Sequence, residues 1–165
     1  MKDLRTGLFA LLLLCILSIV GYQFIQEKEA DDTAEKAAML AILNTETKAF
    51  FNKDYALWQS TWVHSSHVAK TYIRMADGSS EETLGWAAID TFGKTYIKDH
   101  PEPEPLPTLL DRIDVRLYGK GAWVSFEQND LQRGPKRETR LMEKTNGQWK
   151  IAGMHTTIYA FEDGK

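Results

Sequence analysis

The chain has 165 residues, 43% hydrophobic and 26% charged, which matches one globular domain and leaves no room for a second. Its formal net charge is −3 and it has no basic run, so it lacks the electrostatic footprint of a nucleic-acid binder. Cys15 is the only cysteine, which excludes an intrachain disulfide and a zinc–thiolate cluster.

Lys2 and Arg5 precede an uncharged run from Thr6 to Gln26 with Leu8–Val20 at its centre. Residues 1–26 therefore read as a membrane-targeting segment. The run is long enough for either a cleaved signal peptide or a retained N-terminal anchor, and both fates stay open. Lipid attachment at Cys15 requires a small residue just before it, where Leu14 stands. The expected location is the cell envelope: periplasmic or secreted after cleavage, or held at the membrane through residues 6–26. Charges within the first thirty residues cancel, so the net −3 belongs to the exported part.

Residues 27–32 read as a charged linker, and Asp32-x-x-Glu35 as a capping box opening a first helix that runs to about Asn52. Met39, Ile42, Leu43, Ala49 and Phe50 form its apolar stripe, and Glu46 falls inside that stripe, an unusual place for a carboxylate. Asp54 caps a short second helix carrying Tyr55, Trp58 and Trp62 on one face. A strand over 67–75, a turn at Asp77–Ser80 and a third helix from Trp86 to Ile97 follow, the helix ending at His100-Pro101. Pro101, Pro103, Pro105 and Pro107 make an extended connector.

The rest is a meander of antiparallel strands over 113–118, 122–129, 136–145 and 148–161, with Asn146-Gly147 as a type I′ hairpin turn. Apolar parity in the last strand changes between Ile151 and Met154, which predicts a bulge or bend at Gly153. The layout predicts an α+β fold of three helices packed in a strongly bent antiparallel sheet.

Specific residues carry a family resemblance. Phe50-Phe51-x-x-Asp54-Tyr55-x-x-Trp58-x-x-x-Trp62-Val63 resembles the aromatic second helix of SnoaL-like domains. Glu138-Thr139-Arg140-Leu141, Asn146–Ile151 and His155-x-Thr157 are similar to the final hairpin of the calcium/calmodulin-dependent kinase II association domain. Together they identify residues 33–161 as similar to the nuclear transport factor 2-like superfamily, whose fold is a cone round a central pocket. The resemblance implies that Arg140 projects into that pocket as a fixed cation for an anionic group. The same fold serves isomerases, dehydratases and cyclases as well as non-enzymatic modules, so it implies no single activity. The tyrosine–aspartate pair of an isomerase and the histidine–aspartate pair of a dehydratase have no matching motifs in this chain.

Glu46, Arg140 and His155 form a possible acid–base constellation, or Glu46 and Arg140 satisfy one another as a buried pair. Trp58, Trp62, Trp86, Trp123 and Tyr96 are candidates for an aromatic pocket wall, and equally for core, while Thr157 joins the pocket candidates through the hairpin resemblance. His64 and His67 lack ligand-spaced partners, so no metal or other cofactor is expected. Three functions compete: non-catalytic binding of a small organic ligand, anionic or neutral; an acid–base isomerase, dehydratase or cyclase; and a homo-oligomerising module, with a homodimer formed through the sheet.

Overall fold

The computed structural model describes the backbone of residues 2–159 and the side chains of residues 31–159 with a few earlier ones. The chain divides into two compact units, residues 1–37 and 38–165. One helix, α1 (Lys2–Phe51), runs from the first into the second. The linker expected at 27–32 and the helix start at Asp32 are therefore corrected. From Tyr22 to Asn52 the chain has no glycine or proline, and its Glu, Lys and Ala residues favour helix. Thr33 bonds back to the Glu29 carbonyl at 2.8 Å, as a residue inside a helix does. Most side chains of the targeting run lie outside the described residues. Among the described residues no helix is long and apolar enough to cross a membrane.

Within 38–165, α1 buries Met39, Leu43, Glu46 and Ala49, one to two turns apart, with Ile42 and Phe50 packed beside them. Fully burying a Met or Leu side chain contributes about 1.5–3 kcal/mol. The helix ends in a Schellman motif: Asp54 N–H reaches the Ala49 carbonyl at 2.8 Å and Lys53 N–H the Phe50 carbonyl at 3.2 Å. Lys53 holds φ of 65° there, a left-handed conformation usually given to glycine. Asp54 then caps α2 (Tyr55–Ser60), accepting from Leu57 N at 2.9 Å.

Helix α3 (Trp86–Asp99) crosses close to α2 at Gly93, where an added Cβ would meet the Trp58 ring at 2.2 Å. Trp58 is 2% exposed and cannot yield without displacing core. Gly93→Ala is therefore expected to destabilise the domain by about 1–3 kcal/mol. A urea denaturation midpoint equal to wild type would show that the helices separate freely.

The strands are β1 (Ala69–Arg74), β2 (Ser80–Leu84), β3 (Thr108–Leu109), β4 (Asp114–Tyr118), β5 (Gly121–Asp130), β6 (Gly134–Thr145) and β7 (Gln148–Ile158). They form one curved sheet ordered β2-β1-β7-β6-β5-β3, with β4 also on β5. The fold is α+β, and two features differ from the sequence expectation. The sheet is mixed, because β1 pairs with β7 in parallel, a pairing open to strands joined by a long crossover instead of a hairpin. Strand β2 lies where only a turn was expected; its Ser-Glu-Glu-Thr-Leu sequence is mostly exposed at the sheet edge and carries no apolar alternation.

Asn146 and Gly147 both have positive φ, 51° and 79°, as the hairpin reading requires. The irregularity in β7 falls beside Gly153: Leu141 pairs with Gly153 and Met142 with Ile151, leaving Ala152 as the extra residue. Past this bulge the inward positions are Met154, Thr156 and Ile158.

Candidate functional site

The inner face of the sheet changes character along its strands. On β5 the buried positions run from Ala122 through Val124 and Phe126 to Gln128 and Asp130, and on β6 from Met142 through Arg140 and Glu138 to Lys136. The apolar ends pack on α1 and the tryptophans, whereas the polar ends close round a cavity of about 350 Å³. That volume lies at the lower end of small-molecule pockets.

Strand pairing sets these side chains in three rows. Lys70, Met154, Arg140 and Val124 share the first, Tyr72, Thr156, Glu138 and Phe126 the second, and Arg74, Ile158, Lys136 and Gln128 the third. Glu46, Phe50, Trp58, Trp62, Phe92 and Tyr96 face the rows across the cavity.

Charges in and beside the cavity form a chain of alternating sign. Glu46 stands 3.9 Å from Arg140, and Arg140 bonds Glu138 at 2.6 Å. Lys136 lies 3.2 Å from both Glu138 and Asp130. Arg133 bridges Asp130 at 2.9 Å to Glu104 at 2.8 Å, and Glu104 pairs with Lys53. Four carboxyl groups and four cations thus alternate. Buried charge persists only with such compensation.

The outer end of the chain is structural. Glu104, from the proline-rich connector, accepts from Tyr96 Oη at 2.7 Å, and its backbone N–H bonds the Phe51 carbonyl at 2.9 Å. Burial opposes ionisation of Glu104, but its bonds to Lys53, Tyr96 and Arg133 prevail and hold its pKa at about 2. The connector is thereby fastened to the end of α1, and Lys53 gains a partner that offsets its left-handed backbone.

At the inner end the carboxyls diverge. Burial raises the pKa of Glu46 and outweighs Arg140, which at 3.9 Å is a loose partner; Trp58 Nε1 donates to Glu46 at 3.2 Å. Burial also acts on Glu138, yet Arg140 and Lys136, with a Thr156 hydroxyl donating at 2.7 Å, hold its pKa low. Glu138 is thus the fixed anion and Glu46 the carboxyl poised to carry a proton.

Lys70 stands outside the chain. It is 3% exposed and makes no ion pair within 4.0 Å among the described residues, and its Nζ lies 3.3 Å from the Phe92 ring centre and 4.1 Å from that of Tyr72. Burial lowers its pKa from 10.5 to about 7, and burial likewise raises that of Tyr72. Among the described residues three buried donors lack a hydrogen-bond partner: Lys70 Nζ, Arg140 Nε and Trp62 Nε1. All three residues line the cavity. Buried donors normally find partners, and these three, each nitrogen lying behind the cavity surface, belong to residues that line one cavity.

Of the residues nominated from sequence, Glu46, Trp58, Trp62, Tyr96 and Arg140 meet at the cavity. Four do not. His155 is exposed on the opposite face and Thr157 shares its parity, with 3.3 Å between His155 Nε2 and Thr157 Oγ1. The bulge at Ala152 sets that parity, which separates His155 from Glu46 and Arg140 and removes the proposed triad. Trp123 is 43% exposed beside Leu141 on the outer face. Trp86 packs behind the wall, stacked on His64 at 4.0 Å and tilted against Trp58 and Trp62. His67 interacts with Ser65 Oγ at 2.7 Å and Glu143 at 3.2 Å, and among the described residues no cluster of three or more His, Cys, Asp or Glu could hold a metal ion.

Lys70, Tyr72, Lys136 and Glu138 are among the site residues that sequence reasoning missed. The signal for two of them was present, because Lys136 and Glu138 share the strand parity of Arg140.

No protein family matches the sequence as a profile, and no curated protein matches it. Solved structures do. A cystatin-like fold protein from Burkholderia xenovorans is 21% identical, with a TM-score of 0.60 over 76% of this chain and 92% of that one. A nuclear transport factor 2-like superfamily protein from Salmonella enterica is 18% identical, with a TM-score of 0.57 over 81% and 99%. A candidate dehydratase of the same family from Streptomyces avermitilis is 13% identical, with a TM-score of 0.61 over 79% and 99%. The chain has the nuclear transport factor 2-like fold, as its last hairpin implied. At these identities the likeness carries the fold and not the activity.

Proposed function

We propose that the cavity is a receptor for a small organic anion, a carboxylate with an apolar or aromatic body. The observation that carries this reading is the set of three buried donors without a hydrogen-bond partner on Lys70, Arg140 and Trp62, residues that line one cavity. An acceptor that reaches these donors meets Lys70 as a cation below about pH 7, where it holds its proton, and Arg140 as a guanidinium with Nε unbonded. Phe50, Trp58, Phe92 and Tyr96 supply ring surface for the rest of the ligand.

The acid–base alternative shifts from His155 to Glu46, the carboxyl whose pKa is raised within the cavity. Either reading requires a ligand in the cavity, so binding is the reading to test first. In a thermal-shift screen of matched pairs, each carboxylate against its own primary amide, carboxylates are expected to raise the melting temperature of wild type and amides not. Lys70→Met should reduce the response. Equal stabilisation by acid and amide would sink the anion reading.

A further inference from the structure

We propose that Lys70 is a covalent attachment site: its amine condenses with the aldehyde or ketone carbonyl of an oxo acid whose carboxylate is held at Arg140. The inference rests on the anion reading above and adds a bond to it.

The fold places the two groups for this task. Lys70 on β1 and Arg140 on β6 share one row of the sheet, both flanking Met154 of β7. Their backbones are therefore two strand spacings apart, about 10 Å, and both side chains line the same cavity. Arg140 is fixed by Glu138 at 2.6 Å and can orient a carboxylate without moving. Lys70 has no carboxylate partner within ion-pair distance to keep its ammonium protonated, and it lies buried against two aromatic faces. A desolvated lysine in an apolar pocket is the form of the residue that attacks carbonyls.

The step balances within the site. The neutral Lys70 amine attacks the carbonyl carbon, forming a C–N bond while the carbonyl π pair passes to oxygen. Proton transfer from nitrogen to that oxygen gives a neutral carbinolamine. Glu46, the carboxyl kept towards its protonated form, gives one proton to the carbinolamine hydroxyl, which leaves as water while the nitrogen lone pair forms the C=N bond. The product is an iminium cation with a Glu46 carboxylate beside it, and addition of water reverses every step. No oxidant or reductant is required.

The full chain is incubated with glyoxylate or 4-carboxybenzaldehyde and sodium cyanoborohydride, then read by intact mass and peptide mapping. The expected result is a single reduced adduct on Lys70, formed more than tenfold faster than on any other lysine, absent in Lys70→Met and slowed by benzoate. Two probes of different length guard against a misfit of either one. If both label other lysines while Lys70 stays unmodified, the covalent inference is overturned. If benzoate also raises the melting temperature in that case, the anion reading survives alone. Labelling of Lys70 by benzaldehyde at the same rate, without benzoate protection, supports the amine and overturns the carboxylate half of the proposal.

Discussion

Replacing Arg140 by methionine is expected to destabilise the domain by about 3–5 kcal/mol at neutral pH, the usual cost of removing one partner from a buried charge pair. Glu138 is 1% exposed and would keep Lys136 at 3.2 Å and the Thr156 hydroxyl, but lose its closest cation. Glu46 suffers less, since its pKa is already raised and protonation removes its charge. The pH dependence follows from Glu138. Its folded pKa is depressed, so its contribution is present above the ordinary carboxylate value of 4.5 and is lost as pH falls through the folded value. The deficit of Arg140→Met should therefore be largest near pH 7 and shrink below about pH 4.5. Adding Glu138→Gln should recover much of it. Urea denaturation of the single and double variants at both pH values checks this, and a neutral-pH loss below about 1 kcal/mol would show the chain of charges to be ornamental.

Replacing Lys70 by methionine is expected to have the opposite sign, stabilising the domain by about 2–4 kcal/mol at pH 6–7, because an apolar side chain of similar length takes the place of an unpaired buried cation. A pKa lowered from 10.5 to about 7 corresponds to roughly 5 kcal/mol carried by the ammonium. Below pH 7 both folded and unfolded chains hold the proton, and the folded chain bears the whole penalty. Between pH 7 and 10.5 the unfolded chain keeps a proton that the folded chain has released, so wild-type stability rises with pH. Above that range neither form is protonated and the gap between wild type and variant closes. The groups that set this behaviour are Glu81, Glu46 and Glu138, which favour the charged amine, and Arg140, which opposes it. Melting temperatures of both proteins from pH 6 to pH 10 give the comparison; a gain that does not shrink with rising pH would mean Lys70 is not the titrating group. Such a destabilising lysine belongs at a site kept for function.

The elements were legible where local chemistry is strong. Helical spacing of Met39, Leu43 and Ala49, the Asp54 cap and the Asn146-Gly147 turn all declare themselves within a few residues. Glu46 announced the site because a carboxylate in an apolar stripe needs a reason. Elements set by long-range pairing were not legible: the polar strand β2 and the parallel β1–β7 pairing depend on partners far along the chain. The side-chain parity of β7 shows how one residue decides a site. The change from Ile151 to Met154 is visible in the sequence and already places His155 outside, so the nomination of His155 conflicted with its own strand pattern. Lys70 stayed hidden because Lys-Thr-Tyr-Ile-Arg reads as a half-polar edge strand until β2 covers its flank.

The most direct test of the anion receptor is the indole N–H of Trp62, a buried donor without a partner whose resonance is assigned by Trp62→Phe. In a ¹H–¹⁵N titration with a carboxylate that stabilises the protein, that resonance is expected to shift downfield saturably, as an unbonded N–H acquires a charged acceptor, and not to shift with the matching amide. An indole signal that stays in place while the carboxylate binds, or that moves equally with the amide, would contradict the anion receptor.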